Sequence, residues 1–136
     1  MLFRSDRVIT VVVNDGTQNS PVQTATITTS NVINGTAAAD TLTSTSANDY
    51  LTGAGGADNF KFSSTVGNDT IADFTPGADS ITFNSALFHH NAAEVIAATH
   101  DDGHGNTVIT VDSQNSITLL HVTQAQLNQS DFHFVT

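Results

Sequence analysis

The chain has 136 residues, enough for one small domain or a compact part of a larger protein. Hydrophobic residues make up 38% and charged residues only 12%, so any core is thin and would gain from an added staple such as a metal ion. Thirteen acidic residues against three basic ones, Arg4, Arg7 and Lys61, exclude nucleic acid and anionic membrane surfaces as partners and favour cations. The absence of Cys excludes disulfides and thiolate metal sites, and no apolar run approaches the ~20 residues of a membrane span.

Arg4 and Arg7 precede Val8–Val13, but this apolar run is too short for a signal peptide and ends in Asn14-Asp15-Gly16 without a small-residue cleavage site. The run reads as a strand over 7–13 closed by a turn, and any export signal is expected elsewhere. Alternation over Val22–Thr28 predicts a second strand and hence a hairpin. A lone hairpin is marginal in water, so residues 1–31 read as the end of a truncated β-domain or a linker. The segment resembles the end of the cadherin-like or immunoglobulin-like repeats of bacterial adhesins.

An internal repeat follows, with its register set by Asp40, Asp49, Asp58, Asp69 and Asp79, spaced 9, 9, 11 and 10 apart. Two residues after each Asp stands a large apolar residue: Leu42, Leu51, Phe60, Ile71, Ile81. Two residues before each stands a small one: Ala38, Ala47, Gly56, Gly67, Gly77. The small residues permit a tight turn with carbonyls pointing at a ligand, and the apolar residue opens a short inward-facing strand. Each copy is then half a coil, and alternate copies stack on the same edge, Asp40 over Asp58 and Asp49 over Asp69. Stacked strands lie about 4.8 Å apart, where carboxylates repel unless a hard cation sits between them. Carboxylate and carbonyl oxygens suit Ca²⁺ better than Mg²⁺, which demands strict octahedral geometry. The plainer alternative is a roll whose Asp residues only cap turns.

The copy Gly53-Ala54-Gly55-Gly56-Ala57-Asp58-Asn59-Phe60 resembles the haemolysin-type calcium-binding nonapeptide, the RTX repeat. This resemblance implies a parallel β-roll over 32–84 that binds Ca²⁺ between coils and folds after export from a calcium-poor cytosol. The implied metal-site residues are Asp40, Asp49, Asp58, Asp69 and Asp79, helped by carbonyls of Gly53, Gly55, Gly56, Gly67 and Gly77. The sequence departs from the pattern at Ala38 and Ala47, where the family prefers Gly, and at Thr36, Thr45, Ala54 and Thr65, its second position. These departures predict strained turns and one or two calcium sites rather than a full array.

Over 85–98, Leu87, Phe88, Val95 and Ile96 allow one short helix, though Glu94–Thr99 fits a strand equally well. Asp101–Asn106 is a polar turn without the bidentate Glu of a calcium loop. Strands are expected over Thr107–Val111 and Ser116–Val122, then a helical turn capped by Thr123, then a final strand over Asp131–Val135. Together 85–136 forms an antiparallel capping segment. Residues 67–135, through Gly67–Phe74, Pro76–Phe83, Gly105–Val111, Ser116–Val122 and Asp131–Val135, resemble the C-terminal regions of proteins exported by type I secretion. That resemblance implies an uncleaved export signal read by an ABC transporter, an adaptor and an outer-membrane channel.

The six histidines, His89, His90, His100, His104, His121 and His133, lack the spacing of a transition-metal site. No nucleophile elbow or P-loop is present, so no enzyme activity is expected. The expected fold class is all-β: a parallel β-roll, an RTX-like solenoid, with an antiparallel β capping segment and one short helix. The expected function is calcium-dependent folding and type I secretion of a larger adhesin or toxin-like protein, extracellular or at the cell surface, as a monomer without membrane insertion. The alternatives are a stand-alone adhesive or carbohydrate-binding β-module, or the non-catalytic tail of an exported hydrolase.

Overall fold

A computed structural model of the chain describes residues 7–11, 23–27 and 30–136. Cα proximity divides it into two compact units, Met1–Ser30 and Asn31–Thr136. In the first, β1 (Arg7–Val11) pairs antiparallel with β2 (Gln23–Ile27), Arg7 opposite Ile27. The expected Asn14-Asp15-Gly16 turn lies outside the described residues.

In the second unit the repeat becomes six short strands: β3 (Asn31–Asn34), β4 (Thr41–Thr43), β5 (Asp49–Thr52), β6 (Asn59–Phe62), β7 (Asn68–Ile71) and β8 (Ser80–Asn84). Successive strands alternate between two sheets, so strands two apart in sequence pair in parallel: β3 with β5 and β5 with β7 in one sheet, β4 with β6 and β6 with β8 in the other. This is a parallel β-roll with its turns on two opposite edges. The period of two along each strand puts one side chain in and the next out. The inward set holds the apolar residue of every copy, with Leu42 3% exposed and Leu51, Phe60, Ile71 and Ile81 at 0%.

The segment after the roll extends both sheets. In the first, β11 (Ser116–Leu119) pairs in parallel with β7, and β10 (Thr107–Thr110) and β9 (Thr99–Asp101) add antiparallel strands beyond it. In the second, β12 (Phe132–Val135) pairs in parallel with β8 and sets Phe132 opposite Ile81. The capping segment is thus antiparallel within itself but joins the roll through two parallel rungs. Phe83 lies at the centre of this junction, with ring centroids 5.9 Å from Phe62, 6.3 Å from Phe132 and 6.1 Å from Phe134.

The helix expected over 85–98 is confined to α1 (Ala92–Ala97), N-capped by Asn91, whose side chain accepts from Ala93 N at 2.9 Å. It does not begin earlier because Phe88, His89 and His90 all take left-handed backbone, with φ of 52°, 46° and 58°. Each such residue costs roughly 1–2 kcal/mol. Packing of Phe88 against Phe83 at 5.0 Å and of His90 against Phe134 at 5.9 Å offsets this. Glu94–Thr99, compatible in sequence with a strand, is helical up to Ala97, and β9 starts at Thr99. The turn expected after Thr123 is a 3-10 turn over Gln124–Gln126, closed by Thr123 N donating to Gln126 Oε1 at 2.8 Å.

Candidate metal centre

The two edges of the roll sort the five repeat carboxylates. Asp40, Asp58 and Asp79 follow the turns that lead into β4, β6 and β8, on one edge. Asp49 and Asp69 follow or close the turns into β5 and β7, on the other. On the first edge Asp40 N donates to Asp58 Oδ1 at 2.9 Å and Asp58 N to Asp79 Oδ1 at 2.9 Å. On the second, Asp49 N donates to Asp69 Oδ1 at 2.8 Å. The stacking expected from the spacing is present, and Asp58, Asp69 and Asp79 each reach back to the backbone of the coil before. Asp49, Asp58, Asp69 and Asp79 are buried, and Asp40, on the first coil, is half-buried.

The second carboxylate oxygen distinguishes the sites. Asp40 Oδ2 accepts from Thr36 N at 2.6 Å, Asp49 Oδ2 from Thr45 N at 2.6 Å, and Asp79 Oδ2 from Thr75 N at 2.8 Å. The Thr in the family's second Gly position therefore ties its own Asp into the turn, and in these three copies the capping role is filled. Asp58 has Ala54 at that place, and Ala54 N instead donates to Asp73 Oδ2 at 2.8 Å. Asp69 differs again: its Oδ2 is buried without a hydrogen-bond partner. Burial pushes the Asp69 carboxyl up to about 7. The Asp49 N–H opposes the shift, the neighbouring Asp49 carboxylate adds to it, and the Ser44 hydroxyl opposes it.

The glycines hold adjacent turns in contact. A Cβ on Gly56 would lie 2.7 Å from Ala38 O, and one on Gly67 would lie 2.5 Å from Ala47 O. A Cβ on Gly53 would lie 2.2 Å from Asp58 Oδ2, so this carboxylate rests on the Gly53 backbone. Gly55 makes only ordinary contact, 3.9 Å from Ala37 Cα, and Gly77, at φ 80°, faces open space. Gly67 O already accepts Ser116 N at 3.3 Å. Of the departures expected to strain their turns, Ala54 takes left-handed backbone at φ 75°, whereas Ala38 and Ala47 do not have positive φ.

Two further carboxylates complete the edges. Asp73 receives Gly53 N on Oδ1 at 2.9 Å and Ala54 N on Oδ2 at 2.8 Å, so two successive N–H groups form a concave anion seat that it fills from the next coil. Asp131, 2% exposed, receives Gly77 N on Oδ1 at 3.0 Å and Asn128 N on Oδ2 at 2.8 Å, tying the last strand to the last turn of the roll. Neither follows the repeat period. The only signal for Asp73 is its place 20 residues after Gly53, close to one coil; Asp131 has none.

A calcium ion is the group this geometry can be tested against. Among the described residues no three His, Asp or Glu side chains converge on one point. A site here therefore combines carboxylates with backbone carbonyls, the mixed oxygen set that Ca²⁺ accepts. Asp69 fits that demand, because its buried Oδ2 is an acceptor without a hydrogen-bond partner. The loop carboxylates Asp102 and Asp112 are already satisfied. Asp102 is held below the usual range by the Asn106 side chain and the His104 N–H, and Asp112 by the Asn115 side chain and the Gln114 N–H.

The fold with its two carboxylate edges defines an RTX-type β-roll. Residues 15–136 match the family described as Peptidase M10 serralysin C terminal, and the chain belongs to that family. The family is the non-catalytic, RTX-type calcium-binding repeat region of secreted serralysin-type proteins. Among solved structures, the extracellular lipase LipA from Serratia marcescens is similar at 13% identity and TM-score 0.43, over 94% of this chain and 26% of the lipase. The AlgE6R3 subunit of the Azotobacter vinelandii mannuronan C5-epimerase is similar at 22% identity and TM-score 0.33, over 72% of this chain and 79% of that one. The chain thus spans about a quarter of the lipase's length. Comparison with curated proteins gave no match.

Proposed function

We propose that the chain is a calcium-folded C-terminal region that directs type I secretion of a large extracellular protein, adhesin or toxin-like. The observation that carries the calcium part is the buried, unpartnered Asp69 Oδ2 beside the Asp49 carboxylate. A cation at Asp69 would supply the missing partner and cancel the repulsion between the two carboxylates. Asp69 is the first ligand, with Asp49 beside it and turn carbonyls completing the oxygen set. Asp58, resting on Gly53, is the next in order. Asp40 and Asp79, on the same edge as Asp58 and already tied to Thr36 N and Thr75 N, come last, with carbonyls of Gly55, Gly56, Gly67 and Gly77 as further oxygen donors.

Family membership supports the export part, with the transporter, adaptor and outer-membrane channel as partners. No helix among the described residues is long and apolar enough to cross a membrane. Circular dichroism during calcium titration, with magnesium as control, tests the metal. A gain of β-structure or of melting temperature near the ~0.1–1 mM affinities of extracellular calcium modules supports it. An unchanged spectrum and melting point reduce the roll to a scaffold. Export is tested by fusing the chain to a reporter in cells with and without a type I apparatus; equal retention in both removes the export role.

A further inference from the structure

The chain contains a single Asn-Gly pair, Asn34-Gly35, at the end of β3. We infer that this pair is a deamidation site that the folded roll protects and the unfolded chain exposes. The reaction is intramolecular. The Gly35 amide nitrogen loses its proton and attacks Asn34 Cγ, forming an N–Cγ bond. The bond from Cγ to the side-chain nitrogen breaks, and ammonia leaves. Water then opens the succinimide ring, giving aspartate or, through the side-chain carboxyl, isoaspartate. A glycine on the C-terminal side favours the attack because no Cβ shields its nitrogen.

The folded roll blocks each requirement. Gly35 N donates to Thr52 O at 2.7 Å, so the nucleophile is occupied. Asn34 is part of a parallel rung opposite Thr52, in extended backbone, which holds its side chain away from the following peptide. A Cβ on Gly35 would lie 2.5 Å from Gly53 O, so the next coil presses on this peptide and prevents it from rotating. Gly35 is therefore fixed by packing. Asn34 is not: it is exposed, and Thr52 takes the same place one coil on.

Isoaspartate would insert one extra backbone atom into β3. That displaces Gly35 from Thr52 and opens the first coil. A chain held unfolded would thus lose its first rung irreversibly, while a folded chain would keep it. The pair is a chemical record of time spent unfolded, whatever stabilises the roll.

The test uses the full chain, incubated folded in calcium buffer and unfolded in urea, at the same mildly alkaline pH. Mass spectrometry of the Asn34 peptide measures conversion, and an isoaspartate assay confirms the product. Asn34 is expected to convert faster than every other Asn in urea, and about tenfold or more slowly in the folded chain. The variant Asn34→Thr should melt like the parent and show no conversion in this peptide. Equal rates in the two states, or another Asn leading in urea, would overturn the assignment.

Discussion

Asp49 donates its backbone N–H to the Asp69 carboxylate at 2.8 Å, which fixes two buried carboxylates on one edge of the roll. This bond satisfies Asp69 Oδ1 and leaves Oδ2 without a donor. The same contact that builds the coil therefore creates its least comfortable charge.

That charge sets the pH response of the metal-free chain. The Asp69 carboxyl titrates near 7 when folded, above its ordinary 3.8, chiefly because of burial. Its contribution to stability is fully present below the ordinary value and is lost as pH rises through about 7. Asp102 and Asp112 act with the opposite sign, because their folded values are lowered: their contribution is present above the ordinary value and lost as pH falls further. Urea midpoints in chelator should peak in mildly acid solution and decline toward neutrality. A midpoint that rises steadily to pH 8 or so would contradict the Asp69 shift.

Replacing Asp69 by Asn separates charge from shape. In chelator at neutral pH the variant should be more stable than the parent by about 1–3 kcal/mol, since a buried charge is removed. Its calcium affinity should fall at least about tenfold. Titration calorimetry with melting curves reads both; a variant that is weaker on both counts shows a carboxylate held by something other than a cation.

Gly67 and Gly77 occupy the same repeat position yet predict different costs. Gly67→Ala forces a Cβ against Ala47 O at 2.5 Å and should cost about 3 kcal/mol by overpacking. Gly77→Ala meets open space and carries only the left-handed backbone penalty, about 1 kcal/mol. Chemical denaturation of the two variants gives the order directly.

Ala54 and Asp73 meet at one turn, and their substitutions are expected to add. Ala54→Gly should stabilise by about 1 kcal/mol, because a left-handed residue loses its Cβ. Asp73→Ala should cost about 1 kcal/mol by leaving two N–H groups without their anion. The double variant should lie near the parent, and a melting-curve comparison checks it.

At the other end, Asp131→Ala removes a buried acceptor from Gly77 and Asn128. A loss of about 1–3 kcal/mol is expected, with amide exchange accelerated in β12 before β4 or β6. Uniform acceleration would mean that β12 and the roll open as one.

The roll was legible because its period is local. Asp40 through Asp79 mark the turns, and the apolar residue two places on marks each inward position, so strands and edges follow from spacing alone. The individual roles of the carboxylates were not legible. Whether Asp40 or Asp69 keeps a spare oxygen depends on one Thr N–H, made by Thr36 and not by Thr65, which sits at the same place in its copy. Asp73 and Asp131 act across 20 and 54 residues, outside any repeat. The short α1 was expected, but the left-handed Phe88–His90 that delays it is set by Phe83 and Phe134, contacts that no local pattern encodes.

The Asp ladder has a direction. Asp40 N uses the carboxylate of Asp58, and Asp58 N uses that of Asp79, so every coil leans on the one after it. The last rung does not: Asp79 N turns back to Thr75 O within its own turn. Trimming from the front takes the Asp40 N–H from Asp58 Oδ1 and the Asp40 carbonyl from Asn59 N, whereas trimming from the back takes the Asp79 carboxylate from Asp58 N. Nested truncations should therefore be felt first at the newly uncovered coil, from whichever end the roll is shortened, with a bare carboxylate left at a front cut and a bare N–H at a back cut.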